Sequence, residues 1–296
     1  MGPRTVPNRR SARSTFRFVP VLTSPEIRAL LDAHGLRPSR ALGQNFLVDA
    51  NTARRIIHLA GVHAGERVLE IGPGLGSLTL ALAACGAHVH ALELDRHLLP
   101  VLESVLADAG ASDVHVVQGD ALTYDYAREL ADGPWTCISN LPYNVATPVV
   151  LRILDEAPSV QRLLVMVQRE VGERLAAAPG SRTYGSSSVR VRYHATARVV
   201  GAVPPTVFHP RPNVESSLVM IERRPSPAVE IDDPESMFRL VRAGFGQRRK
   251  MLRRSLRSVL GDGADRILER AGVDPRARAE MLDVEDWAAV ARAVTP

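Results

Sequence analysis

Asn140-Leu141-Pro142-Tyr143 is a run whose residue types suit one kind of chemistry. An Asn side-chain oxygen can accept a hydrogen bond from an amine, and Pro fixes the backbone so that a neighbouring carbonyl can turn inward. Tyr offers a flat face on which a base can stack. Together they suit N-methylation of a planar amine, a poor nucleophile whose lone pair is delocalised into its ring. The Asn140 oxygen and the Leu141 carbonyl would accept the two amine protons and bias the nitrogen toward a tetrahedral shape. Catalysis would then rest on positioning and electrostatics, without a protein base. A strand-end turn uses the same residue types, so the run gains weight from its place. It closes Trp135-Thr136-Cys137-Ile138-Ser139, which reads as a short buried strand.

Three further polar positions fall at comparable places. Gly72, Gly74 and Gly76 stand where the strand pattern Arg67–Ile71 meets a helical pattern, and without a Cβ the backbone can approach a ligand. A plain tight turn explains the glycines about as well, and Ser77 breaks the G-x-G-x-x-G spacing of a dinucleotide site. Glu93 ends the next strand about 20 residues on, where an acid can accept bonds from both ribose hydroxyls. Asp120 ends the third, where a carboxylate could meet an adenine amino group or cap a helix. Polar groups at successive strand ends lie on the rim where open α/β sheets bind ligands. With Asn140 they suit S-adenosylmethionine. Gln44 to Asp49 precedes the first strand and reads either as a helix-capping loop or as a cover for the cofactor, with Asn45 and the Leu47 backbone near its methionine end.

The elements that must position these residues follow from periodicity. Ser24 to Gly35 reads as a helix with Ser24 as N-cap. Strands are expected at 67–71, 88–94, 114–118, 135–139 and 162–168, with helical stretches between most of them. That alternation argues a parallel sheet covered on both faces, an α/β fold. Residues 199–203 and 217–222 read as the two remaining strands, and 225–296 as a smaller all-α domain after a domain spanning 24–224. Residues 1–23 read as a disordered basic tail, with Arg4, Arg9, Arg10, Arg13 and Arg17 and no acid before Glu26.

Four motifs in order carry a family resemblance. They are Gln44-Asn45-Phe46-Leu47, Glu70-Ile71-Gly72-Pro73-Gly74-Leu75-Gly76, Asn140-Leu141-Pro142-Tyr143, and the run from Phe208 through Pro210-Arg211-Pro212 to Ser216. From about Leu36 to Leu260 the chain resembles the ribosomal RNA adenine N6-dimethyltransferases, in particular the bacterial small-subunit branch. Pro179–Gly185 and Phe245–Lys250 also resemble that branch, whereas Met251 and Arg254 stand where it would have Thr and Asn. The resemblance implies a Rossmann-like class I methyltransferase domain with a helical C-terminal domain. It implies that Asn45, Leu47, Gly72, Glu93, Asp120 and Asn140 line an S-adenosylmethionine site, and that Asn140, Tyr143 and Phe208 handle the target adenine. For Phe208 the competing reading is a loop aromatic that covers the core. The implied substrate is a pair of adjacent adenosines in the 3′-terminal hairpin of 16S rRNA, within the 30S subunit or its precursor.

Partner chemistry is consistent with that. The 296-residue chain has a formal net charge of +5 and a pI near 9.7, which favours a polyanion. Arg248, Arg249, Lys250, Arg253, Arg254 and Arg257 crowd the acid-free run 243–260, while Phe245, Leu252, Leu256 and Val259 recur at helical spacing. The expectation is one helix, packed on one side and gripping phosphate on the other through Arg248, Arg249, Lys250 and Arg253. Alternatively, these arginines pair with acids such as Asp262, Asp265 or Glu269. Cys85 and Cys137 form no metal-ligand pattern, so no metal is expected. With no bilayer-spanning run and no signal peptide, the expectation is a cytoplasmic monomer. The rivals are a large-subunit rRNA methyltransferase with the same core, an assembly factor without catalysis, and a nicotinamide dehydrogenase.

Overall fold

The computed structural model describes residues 21–294. The expected basic tail lies outside them except for 21–23, and those three belong to the fold. Val21 and Leu22 pack against the core, and Thr23, not Ser24, is the N-cap of the first helix, its N–H and hydroxyl both donating to the Glu26 carboxylate. The first half of the chain runs α1 (Ser24–Ala33), β1 (Phe46–Leu47), α2 (Ala50–Ala60), β2 (Arg67–Ile71), α3 (Ser77–Ala84), β3 (His88–Glu93), α4 (Leu99–Asp108), β4 (Val114–Gln118), α5 (Tyr126–Glu129), β5 (Trp135–Asn140) and α6 (Ala146–Glu156). There follow β6 (Val160–Gln168), α7 (Arg169–Leu175), α8 (Ser186–His194), β7 (Ala195–Val203), β8 (Phe208–His209) and β9 (Ser216–Arg223). The chain ends in helices α9 (Pro234–Gly246), α10 (Leu252–Ser255), α11 (Arg257–Leu260), α12 (Ala264–Arg270) and α13 (Val284–Val294).

Seven strands form one sheet in the order β4-β3-β2-β5-β6-β9-β7. All pairs from β4 to β6 are parallel, whereas β9 runs antiparallel to both β6 and β7. The sheet is therefore mixed, not wholly parallel as the alternation had implied. A parallel return needs a crossover, usually helical, and the link from Pro204 to Glu215 holds only a 3-10 turn and the two-residue β8. Successive strand residues face opposite layers, with Leu69 and Ile71 packing among α5, α6 and α8, and Val68 packing with α2 and α3. The order reverses between β2 and β5, which opens a crevice beyond their carboxyl ends.

The basic segment is not one helix. Backbone N–H groups of Leu252 and Arg253 donate to the carbonyls of Ala277 and Pro275 at 2.8 and 3.1 Å, not to a preceding helical turn. The chain after Gly246 thus turns away and restarts as two short helices. Leu252 and Leu256 are buried, but Val259 is 48% exposed, so the apolar stripe does not continue.

Candidate active site

The crevice at the switch point is a cleft of about 730 Å³, counting the solvent at its mouth. Its wall contains Asn45, Gly72, Gly74, Glu93, Asp120, Asn140 and Pro142. Sequence spacing had brought these residues to one rim, and the sheet order explains how. β2, β3, β4 and β5 lie side by side and end together, with Ile71, Leu92 and Val117 in register.

Each wall residue is held by local structure. Gly74 has φ +60°, and a Cβ there would lie 2.9 Å from the Phe46 ring, so the loop can lie against Phe46 only as glycine. Gly76 is a packing position, against Leu102 of α4. Glu93 accepts from the Gly74 N–H (3.0 Å) through Oε2 and from the Asp95 N–H (2.9 Å) through Oε1. It fixes the glycine loop to β3 as well as lining the cleft. Burial pushes its carboxyl pKa up, against the pull of those backbone bonds. Each oxygen keeps a lone pair for a hydroxyl. Asp120 accepts from the Leu122 N–H at 2.8 Å through Oδ1, a local turn that leaves Oδ2 for a ligand.

β5 passes one further hydrogen bond along the ladder, Leu141 N–H to the Met166 carbonyl at 3.1 Å, before Pro142 ends it. Asn140 Nδ2 donates to the Asn45 carbonyl at 2.9 Å. Its Oδ1 is buried and has no partner. Asn144 Nδ2 donates to the Ala41 carbonyl at 3.0 Å, a second stitch between the 41–46 loop and the turn after β5. Behind the glycine loop lies a smaller space lined by Leu47, Glu70, Ser77 and Asn140. Glu70 is 1% exposed; burial raises its pKa to about 8, opposed by the Thr79 hydroxyl and reinforced by negative Glu93.

Other expected site residues sit elsewhere. Tyr143 is half-buried, its hydroxyl 2.6 Å from Ser216 Oγ, and it does not line the cleft. Phe208 is 4% exposed and packs in the core with Leu47 and Leu218, the position of the competing reading. β8 pairs antiparallel with β1, Leu47 opposite Phe208 and Phe46 opposite His209. Leu94, 49% exposed, with Leu42, Ala121 and Val145, supplies the apolar wall that sequence reasoning missed. A signal was there, since Leu94 and Ala121 directly follow the two strand-end acids.

In the basic segment, Arg248 Nε donates to Glu280 at 2.7 Å and a terminal nitrogen to the Arg182 carbonyl. Arg257 pairs with Asp262. Arg249, Lys250, Arg253 and Arg254 have no acid partner among the described residues. Also among these residues, no group of three or more could hold a metal ion, and no helix is long and apolar enough to cross a membrane.

The reversed-strand sheet and the strand-end cleft define a class I S-adenosylmethionine-dependent methyltransferase fold. More narrowly, the chain belongs to the ribosomal RNA adenine dimethylase family, whose model matches residues 36–295. It is 46% identical over 276 residues to the ribosomal RNA small subunit methyltransferase A of Leifsonia xyli, covering 92% of this chain and 98% of that one. The protein of the same name from Thermobifida fusca is 47% identical over 277 residues, 92% of this chain and 95% of the relative. Among solved structures, a dimethyladenosine transferase from Plasmodium falciparum matches with a TM-score of 0.71 at 22% identity, over 82% of this chain and 95% of its own. The 23S rRNA methyltransferase ErmE matches at 0.62 and 26%, over 85% of this chain and all of its own.

Proposed function

We propose that this enzyme dimethylates N6 of two adjacent adenosines in the 3′-terminal hairpin of 16S rRNA, acting as a cytoplasmic monomer on the 30S subunit or its precursor. The observation that carries the reading is the buried, unpartnered Asn140 Oδ1 at the cleft wall. A buried acceptor without a partner is costly, and an amine proton from a base entering the cleft would satisfy it. Accepting that proton, with the Leu141 carbonyl taking the second, would turn the nitrogen lone pair out of the ring. Holding the amine in place would then lower the barrier without a protein base.

The cleft fits S-adenosylmethionine. Glu93 has lone pairs free for ribose hydroxyls, Asp120 has Oδ2 free for an adenine amino group, Leu94 and Ala121 flank an apolar slot, and Gly72 and Gly74 admit a close ligand. Asn45 and the Leu47 backbone would meet its methionine end. When bound, the cofactor supplies an electrophilic methyl group. We read residues 24–224 as the methyltransferase domain and 225–296 as the RNA-binding one. Arg249, Lys250 and Arg253 would face phosphate, while Arg248 holds the protein together.

The test is methyl transfer to purified, unmethylated 30S and 50S particles, with the product nucleoside identified. Incorporation as N6,N6-dimethyladenosine in 30S alone is expected. Transfer to 50S would favour the large-subunit reading, and no transfer with retained 30S binding would favour an assembly factor.

A further inference from the structure

Which end of the Asn140 amide faces the cleft decides whether it can accept an amine proton. Asn presents an acceptor at one end and donors at the other, and the two are set by their neighbours. Here the neighbour is a main-chain carbonyl. With Nδ2 donating to the Asn45 oxygen at 2.9 Å, Oδ1 is left for the cleft. A flipped amide would set two acceptor oxygens against each other.

The residue that carries this carbonyl is held through its side chain and through its neighbours in the chain. Asn45 Nδ2 donates to the Gly43 carbonyl at 3.1 Å, and the next ring, Phe46, lies on Gly74. The following residues form the β1–β8 pair, extended by the Val48 N–H to the Val207 carbonyl at 2.9 Å. Phe208 anchors that pair by burying its ring beside Leu47. The residue is 4% exposed.

We propose that the Asn45 main-chain carbonyl is the positioning group for Asn140, and that the Phe208–His209 strand acts on methyl transfer by holding that carbonyl. This rests on the reading of Asn140 given above. The strand is a brace between the two halves of the site. It keeps Asn140 Oδ1 turned to the substrate before any base arrives, which saves reorganisation during the reaction.

Three variants test it on unmethylated 30S particles. Replacing the amide between Asn45 and Phe46 with an ester makes the Asn45 carbonyl a weaker acceptor. It should lower kcat about tenfold or more while KM for 30S stays within about threefold, the split expected when an interaction specific to the transition state is lost. Phe208→Ala should lower kcat in the same way, and Phe208→Leu, which refills the core without an aromatic face, should recover most of the loss. If Phe208 stacks on the base, Leu will do no better than Ala, and KM will rise with both, since losing a base stack costs about tenfold or more. A second readout is solvent exchange of the Asn140 side-chain NH₂, assigned by its absence in Asn140→Ala. Exchange should be slow in the wild type and faster in the ester. Unchanged exchange or unchanged kcat in the ester would overturn the proposal. Near-normal turnover by Asn140→Ala would instead overturn the role of Asn140 itself, while the exchange rate would still report whether the bond to Asn45 exists.

Discussion

At the scale of single residues, two buried carboxyls make separable predictions. Glu93 is both a cleft wall and a clamp on the glycine loop through the Gly74 and Asp95 N–H groups. Glu93→Ala should therefore weaken S-adenosylmethionine binding about tenfold or more and also lower the melting temperature, since the buried Gly74 N–H loses its acceptor at about 1–3 kcal/mol and the half-buried Asp95 N–H loses its own. Titration calorimetry and a thermal melt read the two effects, and unchanged affinity would remove Glu93 from the site. Glu70 predicts a pH dependence. Its folded pKa of about 8 lies above its ordinary 4.5, so between those values the folded state holds a proton that the unfolded state releases. Stability should fall as pH rises through that window and level off above it. Glu93, shifted the same way, adds to the slope. Glu70→Gln should flatten the profile measured by urea unfolding, and an unchanged slope would show that Glu70 does not titrate there. Both acids could be placed on the rim or beside the glycines from sequence. Their burial was not legible, because it depends on how neighbouring elements pack around them, Thr79 of α3 beside Glu70 among them.

At the scale of elements, the basic segment shows where sequence periodicity stops being informative. Leu252 and Leu256 do pack, but the carbonyls that start α10 belong to the loop at 275–277, and no local pattern announces them. One consequence is that the three arginines and one lysine expected to grip RNA divide into two kinds. Arg249→Gln with Lys250→Gln should make the salt dependence of 30S binding shallower by roughly one to two units, with melting unchanged. Arg248→Gln should do the reverse. It strands Glu280 and two carbonyls, costing about 1–2 kcal/mol and a few degrees of melting temperature. Equal salt slopes for both variants would reject this division. The main strands were readable because each is a short apolar run ending in a polar or glycine punctuation. β1 and β8 were not, since two residues apiece carry no period and their pairing spans most of the chain.

At the scale of the whole molecule, the C-terminal helices do not stand apart from the sheet domain. Trp287, Phe238 and Val241 share one apolar cluster with Ala177, Tyr184, Val189 and Tyr193 from α8 and the loop before it. Arg190 of α8 lies 4.4 Å over the Phe238 ring, and also meets Asp155 and Glu235. Calorimetry should therefore record one unfolding transition, with calorimetric and van't Hoff enthalpies in agreement; two resolved transitions would count against a common core. The same cluster governs how such a protein can be recombined. A chimera joined near Pro225 would set one parent's Trp287 and Phe238 against the other's Tyr184 and Tyr193, a mismatch of several packed rings. The transferable block instead begins before Arg169 and carries β7 and β9 with it. The C-terminal helices and two strands of the sheet are thus inherited together, and a lineage that exchanges that block replaces Ser216, the hydrogen-bond partner of the Tyr143 hydroxyl, in the same step.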